Sequence, residues 1–97
     1  MIEIWNLKTE TLKTTFGGHT DIIFAIKLLK ASASIFASSS NDKTIRIWKA
    51  NTKTCLKVID TLQLGGVFSM IEVNGKLVTS SQDHTLKQYK LDYLKRF

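Results

Sequence analysis

The sequence repeats itself, and this repetition limits the possible folds more than any other feature. Residues 38–49, SSSNDKTIRIWK, align without a gap on residues 79–90, TSSQDHTLKQYK, and a shorter copy, IEIWNLKT at residues 2–9, aligns on residues 45–52. The alignments place Trp5 43 residues before Trp48, and Asp42 41 residues before Asp83. Repeats of roughly 40 to 45 residues indicate small sheets stacked side by side, because one such unit cannot bury its apolar faces alone.

Each repeat contains short runs of β-branched and aromatic residues bounded by Asn, Asp, Gly and Ser, a pattern that predicts an all-β chain. We expect strands at residues 11–16, 22–28, 34–39, 44–49, 54–59, 67–73, 76–81 and 85–90. The run DIIFAIKLL at residues 21–29 contains three β-branched isoleucines, which favour a strand over a helix. Because this run is apolar on both faces, it predicts an inner strand that is covered on both sides.

The 97 residues include fourteen Lys and Arg against eight Asp and Glu, which gives a net charge of +6. Such a charge suits nucleic acid, an anionic membrane surface or an acidic protein. The basic residues are scattered, however, and the longest basic run is the Lys95–Arg96 pair, so a solvated surface is the simpler interpretation. Cys55 stands alone, which excludes a disulfide within the chain, and its apolar surroundings predict a small buried side chain.

The sequence lacks the motifs of several other classes of function. The longest apolar run, IIFAI, is far shorter than the roughly 20 residues that span a bilayer, so we expect no membrane segment. No secretory leader is visible at the start, and we therefore expect a cytoplasmic or nuclear location. The glycine pairs at 17–18 and 65–66 lack the rest of a phosphate-binding loop, and His84 has no metal-spaced partner, so no cofactor or metal is expected.

Three features together identify a family resemblance: Gly18–His19, the segment ASSSNDKTIRIW at residues 37–48, and Trp48–Lys49 in place of a Trp-Asp pair. They resemble the WD40-repeat β-propellers over nearly the whole chain. The second repeat departs from that pattern, because Gln63 stands where the His is expected and Tyr89 replaces the Trp.

This resemblance implies antiparallel four-stranded blades in an incomplete propeller. Residues 1–16 would end one blade, residues 17–59 would form the first full repeat, and residues 60–97 a second, degenerate repeat. In the family, one blade is held by a hydrogen-bonded tetrad, which carries over to His19, Ser38, Asp42 and Trp48. The second repeat would keep only a partial tetrad of Thr79, Asp83 and Tyr89.

Serine, histidine and aspartate are also the residue types of a hydrolytic triad, so catalysis is an alternative for His19, Ser38 and Asp42. A triad needs an exposed nucleophile and a base that is free to reach the substrate. The second repeat loses the His and keeps the rest, which favours a structural role. We therefore expect no enzymatic activity.

A blade buries its faces only against other blades, and at least three repeats are normally required. The chain could be a piece of a longer propeller, the product of a truncated gene model, or a unit that assembles with copies of itself. We favour the first two. In every case the chain needs blades from a parent protein or from oligomerisation, and alone we expect it to be insoluble, oligomeric or loosely folded.

The leading functional hypothesis is a non-catalytic scaffold or adaptor that binds protein or peptide partners through the propeller's top face. In the family, recognition residues lie near the start of the inner strand and before the turn Asp. The matching positions here are Ile22, Phe24, Asn41, Gly66, Phe68 and Gln82. Simple core packing is the competing explanation for the two phenylalanines, and a basic propeller associated with nucleic acid or ribonucleoprotein is the alternative function.

Overall fold

The computed structural model describes residues 1–30, 34–61 and 66–91. It contains nine antiparallel strands in these ranges and confirms the predicted all-β fold. The strands are β1 (Ile2–Asn6), β2 (Thr11–Phe16), β3 (Ile23–Leu28), β4 (Ile35–Ser40), β5 (Thr44–Lys49), β6 (Thr54–Asp60), β7 (Val67–Val73), β8 (Lys76–Ser81) and β9 (Leu86–Lys90). The eight strands from β2 to β9 begin and end within one residue of the predicted bounds.

The strands form three sheets in which sequence neighbours pair. A two-stranded sheet contains β1 and β2, a four-stranded sheet runs β3-β4-β5-β6, and a three-stranded sheet runs β7-β8-β9. We call the four-stranded sheet the first blade and the three-stranded sheet the second blade. Sequential pairing follows from the short turns, since antiparallel neighbours need only a few connecting residues.

Strand β4 lies at the centre of the structure, and all six of its residues are buried. Side chains alternate across a strand, so Ile35 and Ala37 point to one side and Phe36 and Ser38 to the other. Ile35 and Ala37 join a core with Val67 and other residues of the second blade. Phe36 contributes to a smaller core on the side of the two-stranded sheet. The first blade is therefore packed between the other two sheets.

The larger core joins the two blades. Its buried members are Leu29, Ile35, Ala37, Ile45, Ile47, Val67, Met70, Leu77 and Leu91. Full burial of one Ile or Leu side chain contributes roughly 1.5 to 3 kcal/mol. Most of the stabilisation between the two blades therefore comes from these aliphatic contacts.

Two burial predictions were wrong. Strand β3 was expected to be covered on both faces, but Phe24, Ile26 and Leu28 are exposed. On that side the two-stranded sheet contributes Ile2 to a core with Phe36, so it covers β4 and leaves much of β3 open. Cys55 is exposed as well, because it lies on β6, the edge strand of the first blade.

Candidate functional site

The four residues of the predicted tetrad come from two strands, one turn and one connection. His19 lies in the connection after β2, Ser38 is in the middle of β4, Asp42 is in the turn after β4, and Trp48 is near the end of β5. The antiparallel hairpin of β4 and β5 brings Ser38 and Trp48 to the same face of the first blade. The structure places all four side chains in one hydrogen-bonded chain.

The chain of bonds runs from the indole to the carboxylate. Trp48 Nε1 donates to Ser38 Oγ at 2.8 Å, Ser38 Oγ lies 2.6 Å from His19 Nε2, and His19 Nδ1 lies 2.9 Å from Asp42 Oδ2. An ionised carboxylate can only accept, so His19 Nδ1 donates to Asp42, and in the neutral imidazole Nε2 then accepts from the Ser38 hydroxyl. The His19 side chain is only 1% exposed, and both of its ring nitrogens are engaged.

Asp42 is the most heavily bonded member of the tetrad. Its Oδ1 accepts the Thr44 hydroxyl at 2.6 Å and the Thr44 N–H at 2.9 Å, and its Oδ2 accepts the Thr20 N–H at 3.1 Å. Burial alone would raise the pKa of the Asp42 carboxyl, but the hydrogen bonds from Thr44, His19 and Thr20 together hold that pKa well below its usual value. Asp42 is therefore ionised at neutral pH.

Aromatic rings surround the tryptophan of this tetrad. The Phe16 ring packs edge-on against both Phe36 and Trp48, with ring centroids 5.5 and 5.4 Å away. Phe36 and Trp48 are nearly parallel, at 6.4 Å. These contacts place the indole in a water-poor environment, where its N–H needs the Ser38 oxygen as a partner.

The second blade has the same turn without the same network. Ser81 and Thr85 hydroxyls both donate to Asp83 Oδ1, as the Thr44 hydroxyl does to Asp42. However, the hydroxyls of Thr79 and Tyr89 are buried and make no hydrogen bond among the described residues. Gln63, which stands in the sequence position of the histidine, lies outside the described residues.

Tyr89 occupies the position that Trp48 has in the first blade. Burial raises the pKa of the Tyr89 hydroxyl, and the charge of Asp60 raises it further. The phenol packs beside the core between the blades, but its oxygen has no described partner there. The structure thus brings Thr79, Asp83 and Tyr89 into equivalent positions without joining them as it joins the first tetrad.

The backbone of the two turns is nearly identical. Lys43 and His84, which follow the turn aspartates, have φ angles of 70° and 68°. In both turns the N–H of this residue donates to the carbonyl of a serine, Ser40 or Ser81. Such left-handed conformations are uncommon outside glycine, and here the aspartate bonds to the backbone hold the turn in place.

The six predicted partner-binding residues lie at one end of the blades, which we call the upper rim and define by the turns at 41–43 and 82–85. Asn41 N–H donates to the Ile22 carbonyl at 2.9 Å, and Gln82 N–H donates to the Gly66 carbonyl at 3.0 Å. The structure therefore makes the same contact in each blade, between the start of the inner strand and the residue before the aspartate.

Phe24 and Phe68 face each other across the boundary between the blades. Their ring centroids are 4.9 Å apart at an interplanar angle of 72°, and the residues are 39% and 46% exposed. Both lie at β-bulges, since the pairing shifts between Ile23 and Ala25 and again between Val67 and Ser69. A bulge re-aims the side chain of the extra residue. Neither phenylalanine belongs to the two cores.

Gly66 marks a close contact between the blades at the upper rim. A Cβ atom on Gly66 would lie 2.7 Å from the Asn41 Cα and 3.0 Å from Cε2 of Phe24. The first distance involves backbone, which cannot move aside as a flexible side chain can. Glycine therefore allows Asn41 and Phe24 to approach the second blade.

Two residues that hydrogen-bond to the predicted site residues, Thr44 and Asp21, were not predicted as site residues from the sequence. Thr44 provides two bonds to Asp42, and the aligned Thr85 gives the same pattern to Asp83, so the repeat alignment contained this signal. Asp21 accepts the Asn41 amide at 2.9 Å and the Ile22 N–H at 2.7 Å. These bonds hold the pKa of Asp21 below its usual value. Asp21 has no counterpart that the repeat would have revealed.

No three His, Cys, Asp or Glu side chains in the described ranges are grouped closely enough to hold a metal ion. The same ranges contain no helix long and apolar enough to cross a bilayer.

The chain is similar to WD-repeat proteins in sequence and structure. Residues 10–49 match the family described as "WD domain, G-beta repeat". The WD repeat-containing protein 89 homolog of Dictyostelium discoideum is 30% identical over 91 residues, which cover 94% of this chain and 24% of that protein. THO complex subunit 6 of Arabidopsis thaliana is 38% identical over 55 residues, which cover 57% of this chain and 15% of that protein.

The WD40 β-propeller domain of Doa1 has a similar fold, with a TM-score of 0.72 at 21% identity. That match covers 88% of this chain and 28% of the Doa1 chain. This chain thus spans about a quarter or less of the length of the two curated relatives.

Proposed function

Because the chain carries a WD40 repeat and folds into blades of that propeller family, we propose that it is a non-catalytic scaffold that binds a peptide segment of a partner protein at the upper rim. The main observation in support of this proposal is the pair formed by Phe24 and Phe68. They sit at equivalent β-bulges, contact each other edge-on, and remain about half exposed.

The aromatic pair has the properties of an interaction anchor. Large apolar side chains that stay accessible between two rigid strands lose little conformational entropy when a partner covers them. Aromatic residues also dominate the energy of many protein interfaces. Phe24 and Phe68 fix each other's orientation, so we propose that a large apolar side chain of the peptide packs against both rings.

Polar groups beside the rings would orient the peptide. Gln82 is exposed on the second blade, and the Asn41 amide is held by Asp21 on the first. Ile22 is exposed beside them and extends the apolar surface. The ionised Asp21 favours a basic residue close to the apolar anchor of the peptide. Gly66 contributes by keeping the two blades close together.

We propose a structural role for His19, Ser38, Asp42 and Trp48. A hydrolytic base must reach a substrate, whereas His19 is almost fully buried with both nitrogens engaged. Hydrolysis of a chromogenic ester by the chain that disappears in His19→Ala would overturn this proposal. The relative named as a THO complex subunit supports membership in a larger assembly.

The test is selection of a phage-displayed library of random dodecapeptides on the chain. The enriched peptides should share an aromatic or aliphatic residue near a Lys or Arg. Their affinity, measured by fluorescence anisotropy, should fall about tenfold or more in Phe24→Ala and Phe68→Ala, while the melting temperature falls only slightly from the loss of one ring contact. Val58→Ala is the matched control, since Val58 is 47% exposed on β6.

Two results would contradict the proposal. The phenylalanine variants could melt at lower temperature while they keep their affinity for the peptides, which would assign the rings to packing. Alternatively, Val58→Ala could reduce the affinity for the peptides as much as Phe24→Ala does, which would place the binding surface elsewhere.

A further inference from the structure

The charged residues are scattered in the sequence, but in the fold the aspartates lie at one end of the blades and many of the lysines lie at the other end. We define the lower rim as the end that contains the turns at 7–10, 50–53 and 74–75. The upper rim holds Asp21, Asp42, Asp60 and Asp83, together with Lys43 and Lys87, whose Nζ donates to the Thr61 carbonyl. The lower rim holds Lys8, Lys30, Lys49, Lys53, Lys76 and Lys90, together with Glu10 and Glu72.

The lower rim contains a pair of lysines in direct opposition. Lys76 at the start of β8 pairs with Lys90 at the end of β9, so both side chains point to the same face of the second blade. Like charges directly opposite each other on neighbouring strands destabilise a sheet. No carboxylate forms an ion pair with either lysine in the part of the chain that the structure describes.

The two glutamates of the lower rim offset only part of the charge of its six lysines. Glu72 Oε1 accepts the N–H of Lys30 at 2.8 Å, which ties the carboxylate to the backbone between the blades. Lys53 lies exposed in the turn between β5 and β6, with a left-handed φ of 58°. The lower rim is therefore a positively charged edge that extends across both blades.

From this arrangement we infer that the lower rim binds the phosphate backbone of a nucleic acid. The turn at 50–53 contains only Ala, Asn, Thr and Lys, and the turn at 74–75 contains only Asn and Gly. Protein partners are anchored mainly by aromatic and large apolar residues. The turns of the two blades lack them, and the exposed Leu7 lies in the turn of the two-stranded sheet, outside both blades. Lys, Thr and Asn side chains with backbone N–H groups are the usual contacts to phosphate oxygens.

Contacts to phosphate oxygens carry no sequence information directly, so we expect binding at this edge to have little sequence preference. A phosphate between Lys76 and Lys90 relieves their mutual repulsion. The two lysines should therefore lower the stability of the free chain while they contribute to binding. A purely solvated lysine surface would show only the first of these effects.

The experiment measures fluorescence anisotropy of a fluorescein-labelled oligouridylate of about 20 nucleotides and of a duplex of about 20 base pairs. If three phosphates of the single strand are neutralised, affinity should fall about 20-fold between roughly 50 and 200 mM salt. Each of Lys53→Gln, Lys76→Gln and Lys90→Gln should reduce the salt slope by about 0.7 for the single strand. Lys90→Gln should also raise the melting temperature.

The control is Lys43→Gln, which removes the same charge from the upper rim and should leave the salt slope unchanged. Absence of binding to both nucleic acids at roughly 50 mM salt would overturn the inference. An equal effect of Lys43→Gln and Lys53→Gln would also overturn it, since net charge alone would then explain binding. So would tighter binding of a polyglutamate peptide that depends on the same lysines. None of these results bears on peptide binding by Phe24 and Phe68.

Discussion

The first and second blades share a turn, but among the residues that the structure describes only those of the first blade form a complete hydrogen-bonded tetrad. Around Asp42 and Asp83 the bonds to a threonine two residues later are the same, and the φ angles that follow differ by only two degrees. Around Trp48 and Tyr89 the two blades differ completely. The indole reaches a serine, whereas the phenol hydroxyl is buried without a described partner.

The turn is determined by local sequence, whereas the tetrad depends on contacts between distant segments of the chain. The turn needs a serine, an aspartate and a threonine within five residues, so each copy of the motif builds it alone. The tetrad needs His19, which lies 19 residues from Ser38 in sequence and belongs to a different segment of the chain. The second repeat differs at three tetrad positions, with Thr79 for Ser38, Tyr89 for Trp48 and Gln63 for His19, and its Thr79 and Tyr89 hydroxyls have no described partner, while the local turn survives.

The largest expected effect comes from His19→Ala. The substitution removes the acceptor of the Ser38 hydroxyl and one of the donors to the Asp42 carboxylate, and it leaves a cavity beside Trp48, so we expect a loss of about 3 kcal/mol in the free energy of unfolding. Urea unfolding followed by tryptophan fluorescence measures it. The control His84→Ala, at the exposed tip of the second blade, should change stability by less than about 0.5 kcal/mol. Equal losses in the two variants would remove the distinction between the blades.

The next effect concerns the charge of Asp42. Because its pKa in the folded chain lies below the unfolded value of about 3.9, its ionised form stabilises the fold above that pH, and the contribution is lost as pH falls through the folded pKa. Asp42→Asn should cost about 2 kcal/mol at pH 7 and should flatten the loss of stability below pH ~4. Urea midpoints measured from pH 7 to pH 3 test this. Parallel curves for the two proteins would contradict it.

Smaller changes of opposite sign are expected at two equivalent positions. Ser38→Ala removes a partner from both Trp48 and His19 and should cost about 1 to 2 kcal/mol. Thr79→Val replaces a buried, unpaired hydroxyl with a methyl group of similar shape and should be neutral or stabilising by up to about 1 kcal/mol. The two variants can be compared in one series of urea curves, and a loss in both would show that Thr79 has a stabilising contact.

The smallest effect is expected for Tyr89→Phe. Its hydroxyl has no described partner, so stability at pH 7 should change by less than about 0.5 kcal/mol. The raised pKa of Tyr89 means that the wild-type chain loses stability as pH rises past the unfolded value of about 10, because ionisation is disfavoured in the folded state. The variant should lack that loss. Thermal melts at pH 7 and pH 10.5 make the comparison, and an unchanged alkaline loss would be evidence against it.

Sequence patterns predicted the strands well, because each is set by a local run of β-branched residues between turn formers. They failed for the burial of Cys55 and of β3, since exposure depends on which sheet covers which strand. The separation of charge between the upper and lower rims could not be predicted from the sequence either. Lys53, Lys76 and Lys90 are far apart in sequence, and only the antiparallel turns bring them to one edge.

The roles of the candidate residues could be predicted only in part. The pattern of the first repeat suggested which residues form the tetrad, but nothing in it showed that Phe24 and Phe68 meet at two bulges. A bulge adds one residue to one strand, and this depends on the register with the neighbouring strand. Register between strands is a property of the paired hairpin that neither run of residues reveals separately.

The close contact at Gly66 has a consequence for the geometry of any larger ring of such sheets. Asn41 approaches the bare Cα of Gly66 so closely that no side chain fits between them. A methyl group there would act as a wedge at one end of the interface, while the aliphatic contacts farther along would keep the other end closed. It would thereby tilt one sheet relative to the next. Because a closed circle requires a fixed angular step per sheet, the absence of one carbon atom helps to set how many sheets complete a turn.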